Sequence, residues 1–325
     1  MEKQKMNTRV WILVAILNVL FLISGIYFFF GGIDSSAGNQ EARIKIGACF
    51  MTMDSTYFEM LNNEISSVIE AYGDVLITRD PGMDQDKQND QINELIDEGV
   101  QAIFVTPVAW KGIEPSIKRA KENGIKIIVV DSQVYNSDLV DCTITSDNFD
   151  AGVQIANYLM TQVSSSRIVL LQQSGVKSCV DRMNGFSHAI TGYKNFKIVA
   201  TKEYAGEAES ALLAIEELIQ SGIQFDAVFA TNDAGGFGTY AAIEKTGYSK
   251  PVNIMGVNGS PDGKDMIKKK QMISTAAQFP TDMGKKAAES MYSLIHNEEC
   301  KKEIYIPVKL ITKYTIDSYD TDKWQ

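Results

Sequence analysis

The segment Ile44–Phe50, IKIGACF, is a short apolar run, and an amphipathic helical pattern follows it at Tyr57–Tyr72. A strand, a loop and a helix in this order make one unit of a parallel α/β fold. The unit recurs along the chain in two successive sets. In the first set, the remaining apolar runs are Val75–Thr78, Ala102–Thr106 and Ile125–Val130. The helical patterns between them are Gln85–Glu98 and Ile113–Asn123.

The second set repeats this pattern in the following part of the chain. Its apolar runs are Ile168–Gln172, Lys197–Ala200, Ala227–Ala230 and Ile254–Val257. Two such sets predict an α/β protein of two doubly wound parallel-sheet lobes. Because ligands of open α/β sheets bind beyond the carboxyl ends of the strands, we expect the functional residues in the strand-end loops between the lobes.

Length and composition agree with two lobes. The chain has 325 residues and 45% hydrophobic content, which is more than one domain core usually needs. The net charge is −10, although Lys3, Lys5 and Arg9 make the N-terminus basic. An acidic body of this kind argues against nucleic acid as a partner.

The N-terminal part predicts a membrane anchor. Val10–Phe30 is an uncharged apolar run of 21 residues, long enough to cross a bilayer. Residues 1–9, which include the three basic residues, precede it, so the N-terminus is expected in the cytoplasm. The lobes are then expected on the outer face of the membrane, extracellular or periplasmic. A cleavable signal peptide ending near Ser35–Ala37 is the alternative, but its apolar region would be shorter, which favours a retained transmembrane helix. Residues 31–42, rich in Gly, Ser and Asn, are typical of a flexible tether.

The cysteines and histidines do not indicate a metal or catalytic centre. Cys49, Cys142, Cys179 and Cys300 lack metal-ligand spacing, and free thiols are favoured, although an outer location leaves a disulfide open. His188 and His296 are the only histidines and lie far apart in the chain. We therefore expect neither a cofactor nor an enzyme.

Two further motifs have simple structural interpretations. Gly235–Gly238 lies at a predicted helix start but lacks the spacing of a phosphate-binding loop, so it predicts close packing of a helix on the sheet. Lys268–Lys270 is a basic run that would suit either a docking edge or a solvated helix end, and the helix end is favoured.

The strand ends instead carry groups suited to a neutral polyhydroxylated ligand. Asp131 ends the run IIVVD and can accept charge-assisted hydrogen bonds from two hydroxyls. Asn232 and Asn258 follow later strands, and an amide donates and accepts at once, as a hydroxyl does. Tyr57 and Phe58 open the first helix, where a ring could pack on the C–H face of a sugar, or simply on the sheet.

Several stretches taken in order resemble one family. They are IGACFMTMDSTYFEML (46–61), IIVVDS (127–132), TSDN (145–148), RMNGF (182–186), VFATND (228–233), GVNGSPDG (256–263) and AAQFP (276–280). With these stretches the chain resembles the type I periplasmic sugar-binding proteins, of the ribose-binding kind. The resemblance implies a two-lobed clamp with three crossings between the lobes, near Ser146–Asp147, Gln278–Phe279 and Pro307–Val308. It divides the chain into an N-terminal lobe, 43–146 plus 279–307, and a C-terminal lobe, 147–278 plus 308–325.

The resemblance also implies a set of ligand-binding positions. They fall on Ser55, Tyr57, Phe58, Asp131, Asn232, Asn258 and Gln278.

Several positions depart from the pattern of ribose binders. Ser132 and Val180 stand where ribose binders carry arginines, Gly206 stands where they carry an aromatic residue, and Asn258 replaces an aspartate. Ribose itself is therefore in doubt as the ligand. Trp110 would either replace the lost ring in the ligand site or cover a helix start. Arg182 matches a family arginine that is expected to brace the lobe.

The function expected from this resemblance is binding of a pentose- or hexose-type monosaccharide by a membrane-tethered clamp. The partner would be an ABC-type permease that receives the sugar. The alternative is sensing, in which a membrane histidine kinase or receptor reads the closed clamp. A repressor is disfavoured because the apolar segment occupies the place of a DNA-binding domain. An enzyme on this fold is the third and weakest hypothesis.

Overall fold

The computed structural model describes residues 43–325, and the repeated strand and helix units predicted from the sequence are present there. The strands are β1 (Lys45–Cys49), β2 (Val75–Arg79), β3 (Ala102–Val105), β4 (Lys126–Val130), β5 (Cys142–Ser146), β6 (Ser166–Gln172), β7 (Phe196–Glu203), β8 (Ala227–Ala230), β9 (Asn253–Asn258), β10 (Ser274–Ala277), β11 (Glu303–Ile306) and β12 (Lys309–Thr312). The helices are α1 (Thr56–Ala71), α2 (Gln85–Asp97), α3 (Glu114–Glu122), α4 (Asn148–Gln162), α5 (Lys177–Ile190), α6 (Ala208–Gln220), α7 (Asp233–Thr246), α8 (Pro261–Lys268) and α9 (Pro280–Ile295). Short 3-10 helices lie at Ser137–Leu139 and Ile316–Ser318.

The strands form two six-stranded sheets with matching topology. The first has the order β11-β5-β4-β3-β1-β2, and the second has the order β12-β10-β9-β8-β6-β7. The described strand pairs are parallel except β10 with β12, which is antiparallel. We call each sheet with the helices packed on it a lobe. In each lobe the strand order reverses beside the first strand, which is where open α/β sheets bind ligands.

The chain passes between the two sheets three times. β5 ends in the first sheet at Ser146, and the next strand, β6, belongs to the second sheet. β10 ends in the second sheet at Ala277, and β11 belongs to the first. The short link from Ile306 to Lys309 then joins β11 to β12 in the second sheet. Strand-end residues of both lobes are thus close to the chain passages.

Both faces of the sheets are covered by apolar helix stripes. In the first lobe, Leu61 and Ile65 of α1 are fully buried in one cluster with Ile46 of β1, whereas Leu95 of α2 is buried in another cluster with Cys49. In the second lobe, Phe186 of α5 stacks on Phe229 of β8 with ring centroids 4.7 Å apart. Helices on both faces of a parallel sheet explain the continuous apolar runs in the sequence, because such strands are buried on both sides.

Helix starts follow ordinary capping chemistry. The Asp84 carboxylate accepts hydrogen bonds from the backbone N–H groups of Asp86 and Lys87 at the start of α2. Ser260 caps α8 by accepting from Gly263 N–H at 3.0 Å, and Pro261 occupies the first helical position. These contacts satisfy backbone donors that a helix leaves unpaired at its first turn.

Four strands were not among the predicted apolar runs: β5, β10, β11 and β12. β5 and β10 are buried but rich in Ser and Thr. Two of their hydroxyl groups have internal acceptors: Thr145 donates to the Asp131 carbonyl at 2.9 Å, and Thr275 donates to the Asp233 carboxylate at 2.6 Å. β11 and β12 are edge strands and are partly exposed. Because hydroxyl-bearing or half-exposed residues interrupt their apolar pattern, hydrophobicity alone does not predict these strands.

The prediction for Gly235–Gly238 is confirmed. A Cβ atom at Gly238 would lie 2.1 Å from the Ala208 carbonyl oxygen of α6, and one at Gly235 would lie 2.8 Å from Ala230 Cβ of β8. These glycines let α7 approach its neighbours closely. The Lys268–Lys270 run is exposed at the end of α8, as expected of a solvated helix end.

The cysteines of residues 43–325 are free thiols, and Cys49, Cys142 and Cys179 are buried. Within this same range, no group of His, Cys, Asp or Glu side chains could hold a metal ion. No helix among residues 43–325 combines the length and apolar character that crossing a bilayer requires. The predicted anchor, Val10–Phe30, and the predicted tether, residues 31–42, lie outside the described residues.

Candidate ligand-binding site

Asp131 lies directly after β4, at the carboxyl edge of the first sheet. Its backbone has a φ of 70°, a left-handed conformation that few non-glycine residues adopt, and its side chain is buried. The carboxylate accepts a hydrogen bond of 2.8 Å from the Tyr57 hydroxyl. Burial raises the pKa of Asp131 above 3.8, while the charge of Arg182 and hydrogen bonds from Tyr57 and Gln278 act in the opposite direction. A buried anionic acceptor is thus held at the strand end.

The two adjacent aromatic residues at the start of α1 point in different directions. Tyr57 directs its hydroxyl to Asp131, and burial raises the pKa of Tyr57 well above 10. Phe58 instead stacks on Phe50, with ring centroids 6.1 Å apart and an interplanar angle of 14°. Consecutive helical residues lie about 100° apart around the axis, so one ring faces Asp131 while the other joins the lobe core.

Gln278 links the two lobes through its side-chain amide. Its nitrogen donates to Ser146 Oγ at 2.9 Å and lies 3.4 Å from Asp131 Oδ1. Its oxygen accepts a hydrogen bond of 2.8 Å from the guanidinium of Arg182. One buried amide therefore bridges an anionic side chain of the first lobe and a cationic side chain of the second.

Arg182 of α5 braces the second lobe, as the sequence predicted. Its Nε donates to Asn148 Oδ1 at 2.8 Å, and a terminal nitrogen donates to the Thr231 carbonyl at 2.7 Å. With the bond to Gln278, three of its nitrogens have protein partners. The side chain is buried, and these partners fix it between α4, β8 and the passage after β10.

The two predicted amides of the second lobe are engaged in different ways. Asn232 caps α7 by accepting from Gly235 N–H at 2.8 Å and donates to the Gly206 carbonyl at 2.8 Å. Asn258, the last residue of β9, has a φ of 131°, and its backbone carbonyl accepts from Gln278 N–H at 3.0 Å. Asn232 therefore already has two partners within its own lobe.

Ser55 and Trp110 lie outside the hydrogen-bonded group around Asp131. Ser55 is the residue before α1, and its side chain makes no capping bond. Trp110 packs edge-to-face on Tyr135, with centroids 5.4 Å apart, and lines a cavity of about 470 Å³ together with Phe149 and Lys177. The structure thus brings Tyr57, Asp131 and Gln278 into one hydrogen-bonded group and places Trp110 in a separate cavity.

Two of the positions that depart from the pattern of ribose binders, Ser132 and Gly206, have distinctive local settings. The Ser132 hydroxyl accepts from the Ser178 N–H of the second lobe at 3.2 Å. Gly206 has a φ of 90°, and a Cβ atom there would lie 2.4 Å from the Gln173 side chain. Any larger side chain at 206 would be strained by this backbone conformation, and the Gln173 side chain would have to move to make room for it.

Residues 46–299 match the family model described as a periplasmic binding protein domain. This match covers most of the chain. The chain belongs to the periplasmic binding protein family. Its fold of two α/β lobes, with the strand-end residues of both meeting at the chain passages, is the type I architecture of that family.

Relatives and solved structures agree with this membership. The chain is 27% identical over 281 residues to the ribose import binding protein of Bacillus subtilis, covering 86% of this chain and 90% of that protein. The binding protein of the arabinose ABC transporter from Shewanella sp. ANA-3 has a TM-score of 0.78 and 25% identity, covering 84% of this chain and 93% of that one. The fructose binding periplasmic domain of a hybrid two-component system has a TM-score of 0.80 and 23% identity, covering 85% and 93%.

Sequence reasoning missed several residues that contact the predicted site of this periplasmic binding protein. Ser146 accepts from Gln278, and Val176 and Cys179 of the second lobe join the apolar cluster that contains Tyr57. Trp324, near the end of the chain, packs on the Tyr57 ring. The search for polar residues at strand ends could not find the apolar Val176 or Cys179. No local sequence pattern connects Trp324 with Tyr57.

Proposed function

We propose that this protein binds a pentose- or hexose-type monosaccharide on the outer face of the membrane and presents it to an ABC-type permease. The observation that carries the proposal is the buried Asp131 carboxylate, with Tyr57 and Gln278 bonded to it at the meeting edge of two sheets. A carboxylate in this setting suits vicinal hydroxyls, and a neighbouring ring suits the C–H face of a sugar. The names of the relatives, which bind ribose and other sugars, support the same ligand class.

The mechanism is a population shift between open and closed lobes. A ligand held by both lobes binds the closed state more tightly, and it can shift the equilibrium only by that difference in affinity. Asp131 and Tyr57 would hold the sugar from the first lobe, with Gln278 at a chain passage; Asn232 and Asn258 would hold it from the second. Ser55, Phe58 and Trp110 belong to the proposed site as flanking residues. A site with fixed hydroxyl partners rejects analogues that leave those partners unpaired, so specificity should be sharp.

The outer location rests on the apolar Val10–Phe30 segment and on the family. In this proposal the segment is a retained anchor, the N-terminus is cytoplasmic, and residues 31–42 tether the lobes. The anchor also supports the second candidate function, in which a membrane histidine kinase or receptor reads the closed clamp. Co-purification from membranes distinguishes the two candidates, since one predicts a permease and the other a kinase.

A thermal-shift screen of the purified full-length protein tests the ligand class. The panel holds D-ribose, L-arabinose, D-galactose, D-fructose and myo-inositol. A ligand present at about 100 times its dissociation constant stabilises the folded state by about 2.7 kcal/mol, which is easily detected. We expect a clear shift with at least one of these compounds. A cooperative unfolding transition that none of the panel shifts would contradict the proposal.

A further inference from the structure

The last residues of the chain are fixed to the second lobe by a buried lysine. Lys264 of α8 is 1% exposed, and its ammonium donates to the Lys323 carbonyl and, at 3.2 Å, to Gln325 Oε1. Burial lowers the pKa of Lys264, while the carboxylates of Asp320 and Asp233 act in the opposite direction. Since a buried ammonium needs several acceptors, these bonds give the terminal segment a defined position.

That position is at the proposed sugar site. The Gln325 side chain donates to the Asn258 carbonyl at 3.1 Å and also to the Gln278 carbonyl. The Trp324 indole N–H donates to Thr56 Oγ1 of the first lobe at 3.1 Å. The segment thus touches two predicted binding residues of the second lobe while Trp324 reaches across to the first.

The Trp324 ring meets the ring of Tyr57. Their centroids are 5.3 Å apart, and the two planes are inclined by 66°. Two aromatic planes at this angle form a corner, and each plane can pack on the C–H groups of a sugar ring. Because the indole N–H already has a partner, the ring face is what Trp324 offers to a ligand.

The resemblance to ribose binders places an aromatic contact of the second lobe at residue 206. That residue is Gly206, whose φ of 90° would strain any larger side chain. Val176 and Cys179 lie in the same apolar cluster as Tyr57, with Trp324 packed against it. Apolar surface beside the Asp131 carboxylate favours a neutral sugar with a continuous C–H face over an acidic or phosphorylated one.

We propose that Trp324 is the aromatic ligand contact of the second lobe and that, with Tyr57, it selects a neutral monosaccharide that presents an apolar C–H face. This assignment rests on the proposed function. It also makes Trp324 a contact between the lobes. Lys264, which fixes the terminal segment, belongs to the second lobe, whereas Thr56 and Tyr57, which contact Trp324, belong to the first.

The test compares the full-length wild type with Trp324→Ala, Trp324→Phe and Tyr314→Ala by calorimetric titration with each of the five compounds named above. Tyr314 is the matched control, because it is 74% exposed and lies in the same terminal region. We expect Trp324→Ala to weaken sugar binding at least 10-fold and Trp324→Phe to weaken it less than 3-fold. Tyr314→Ala should leave the affinity unchanged.

Three results would count against the proposal, in different ways. Wild-type binding with unchanged affinity in Trp324→Ala would overturn the assignment of Trp324 alone. Tighter binding by Trp324→Ala would also overturn it and would mean that the segment obstructs the site. Absence of binding by a folded wild type to every compound would overturn the proposed function, and the Trp324 assignment with it.

Discussion

Asp131 and Asn258 lie at the carboxyl ends of the matching strands β4 and β9 of the two lobes, and both have positive φ values, 70° and 131°. Their chemistry differs. Asp131 offers a buried carboxylate whose Oδ1 has Tyr57 and Gln278 as partners, whereas the Asn258 backbone carbonyl is bonded to Gln278 N–H and to the Gln325 side chain. Asn232 is likewise engaged within its own lobe. The first lobe thus presents a preformed polar cluster, while the second lobe brings distant chain segments to the candidate site.

The largest expected effect is on the polar grip of the first lobe. Asp131→Ala removes a charged acceptor, and bonds to charged groups contribute about 1.5 to 3 kcal/mol each. We therefore expect sugar affinity to fall at least about 100-fold in calorimetric titration, with a folded protein by circular dichroism.

Asp233→Asn is the matched control for Asp131→Ala. Asp233 is an equally buried carboxyl group, but its partners Ser260 and Thr275 belong to the second lobe. The control variant should bind sugar within about 3-fold of the wild type. Retained affinity in Asp131→Ala would remove Asp131 from the site.

The link between the lobes should matter next, and for stability as well as binding. Gln278→Leu leaves a guanidinium nitrogen of Arg182 without its acceptor and Ser146 without its donor. An unsatisfied buried polar group costs about 1 to 3 kcal/mol, and more when it is charged. We expect the free energy of unfolding to fall by about 3 kcal/mol in urea titration. A decrease below about 1 kcal/mol would mean that Gln278 is not the bridge described here.

A carboxyl group of the second lobe should make stability depend on pH. Burial raises the pKa of Asp233 to about 6 from 3.8, although Thr275 and Ser260 donate hydrogen bonds to it. The folded state then binds the proton more tightly than the unfolded state, so this group stabilises the fold below pH 4 and loses that contribution as the pH rises through 6. Relative to Asp233→Asn, the wild type should lose about 2 to 3 kcal/mol between pH 4 and 7. Parallel unfolding curves of the two proteins over that range would contradict this.

The smallest effect is expected at the helix cap of the second lobe. Asn232→Ala removes the side chain that caps α7 and contacts the Gly206 carbonyl. Loss of such a cap costs about 1 kcal/mol. We expect a decrease of this size in the free energy of unfolding and a loss of sugar affinity smaller than that of Asp131→Ala. An affinity loss equal to that of Asp131→Ala would contradict this prediction and would mean that the Asn232 side chain contributes to sugar binding as much as the Asp131 side chain does.

The repeated units and the two-lobed fold could be predicted because buried parallel strands are apolar on both faces. β1, β4 and β8 are examples. The position of a candidate site residue could be predicted where its side chain directly follows such a strand, as at Asp131. β10, which begins with Ser and Thr, and the contact of Trp324 with Tyr57 could not be predicted, because polar strand residues and a contact between residues so far apart leave no local pattern.

Calorimetric titration of the full-length wild type with D-ribose, L-arabinose, D-galactose, D-fructose and myo-inositol at pH 7 tests the central claim most directly. We predict binding of at least one compound with one site per chain, and loss of that binding in Asp131→Ala. A folded wild type that binds none of the five, or equal binding by both proteins, would contradict a sugar clamp centred on Asp131.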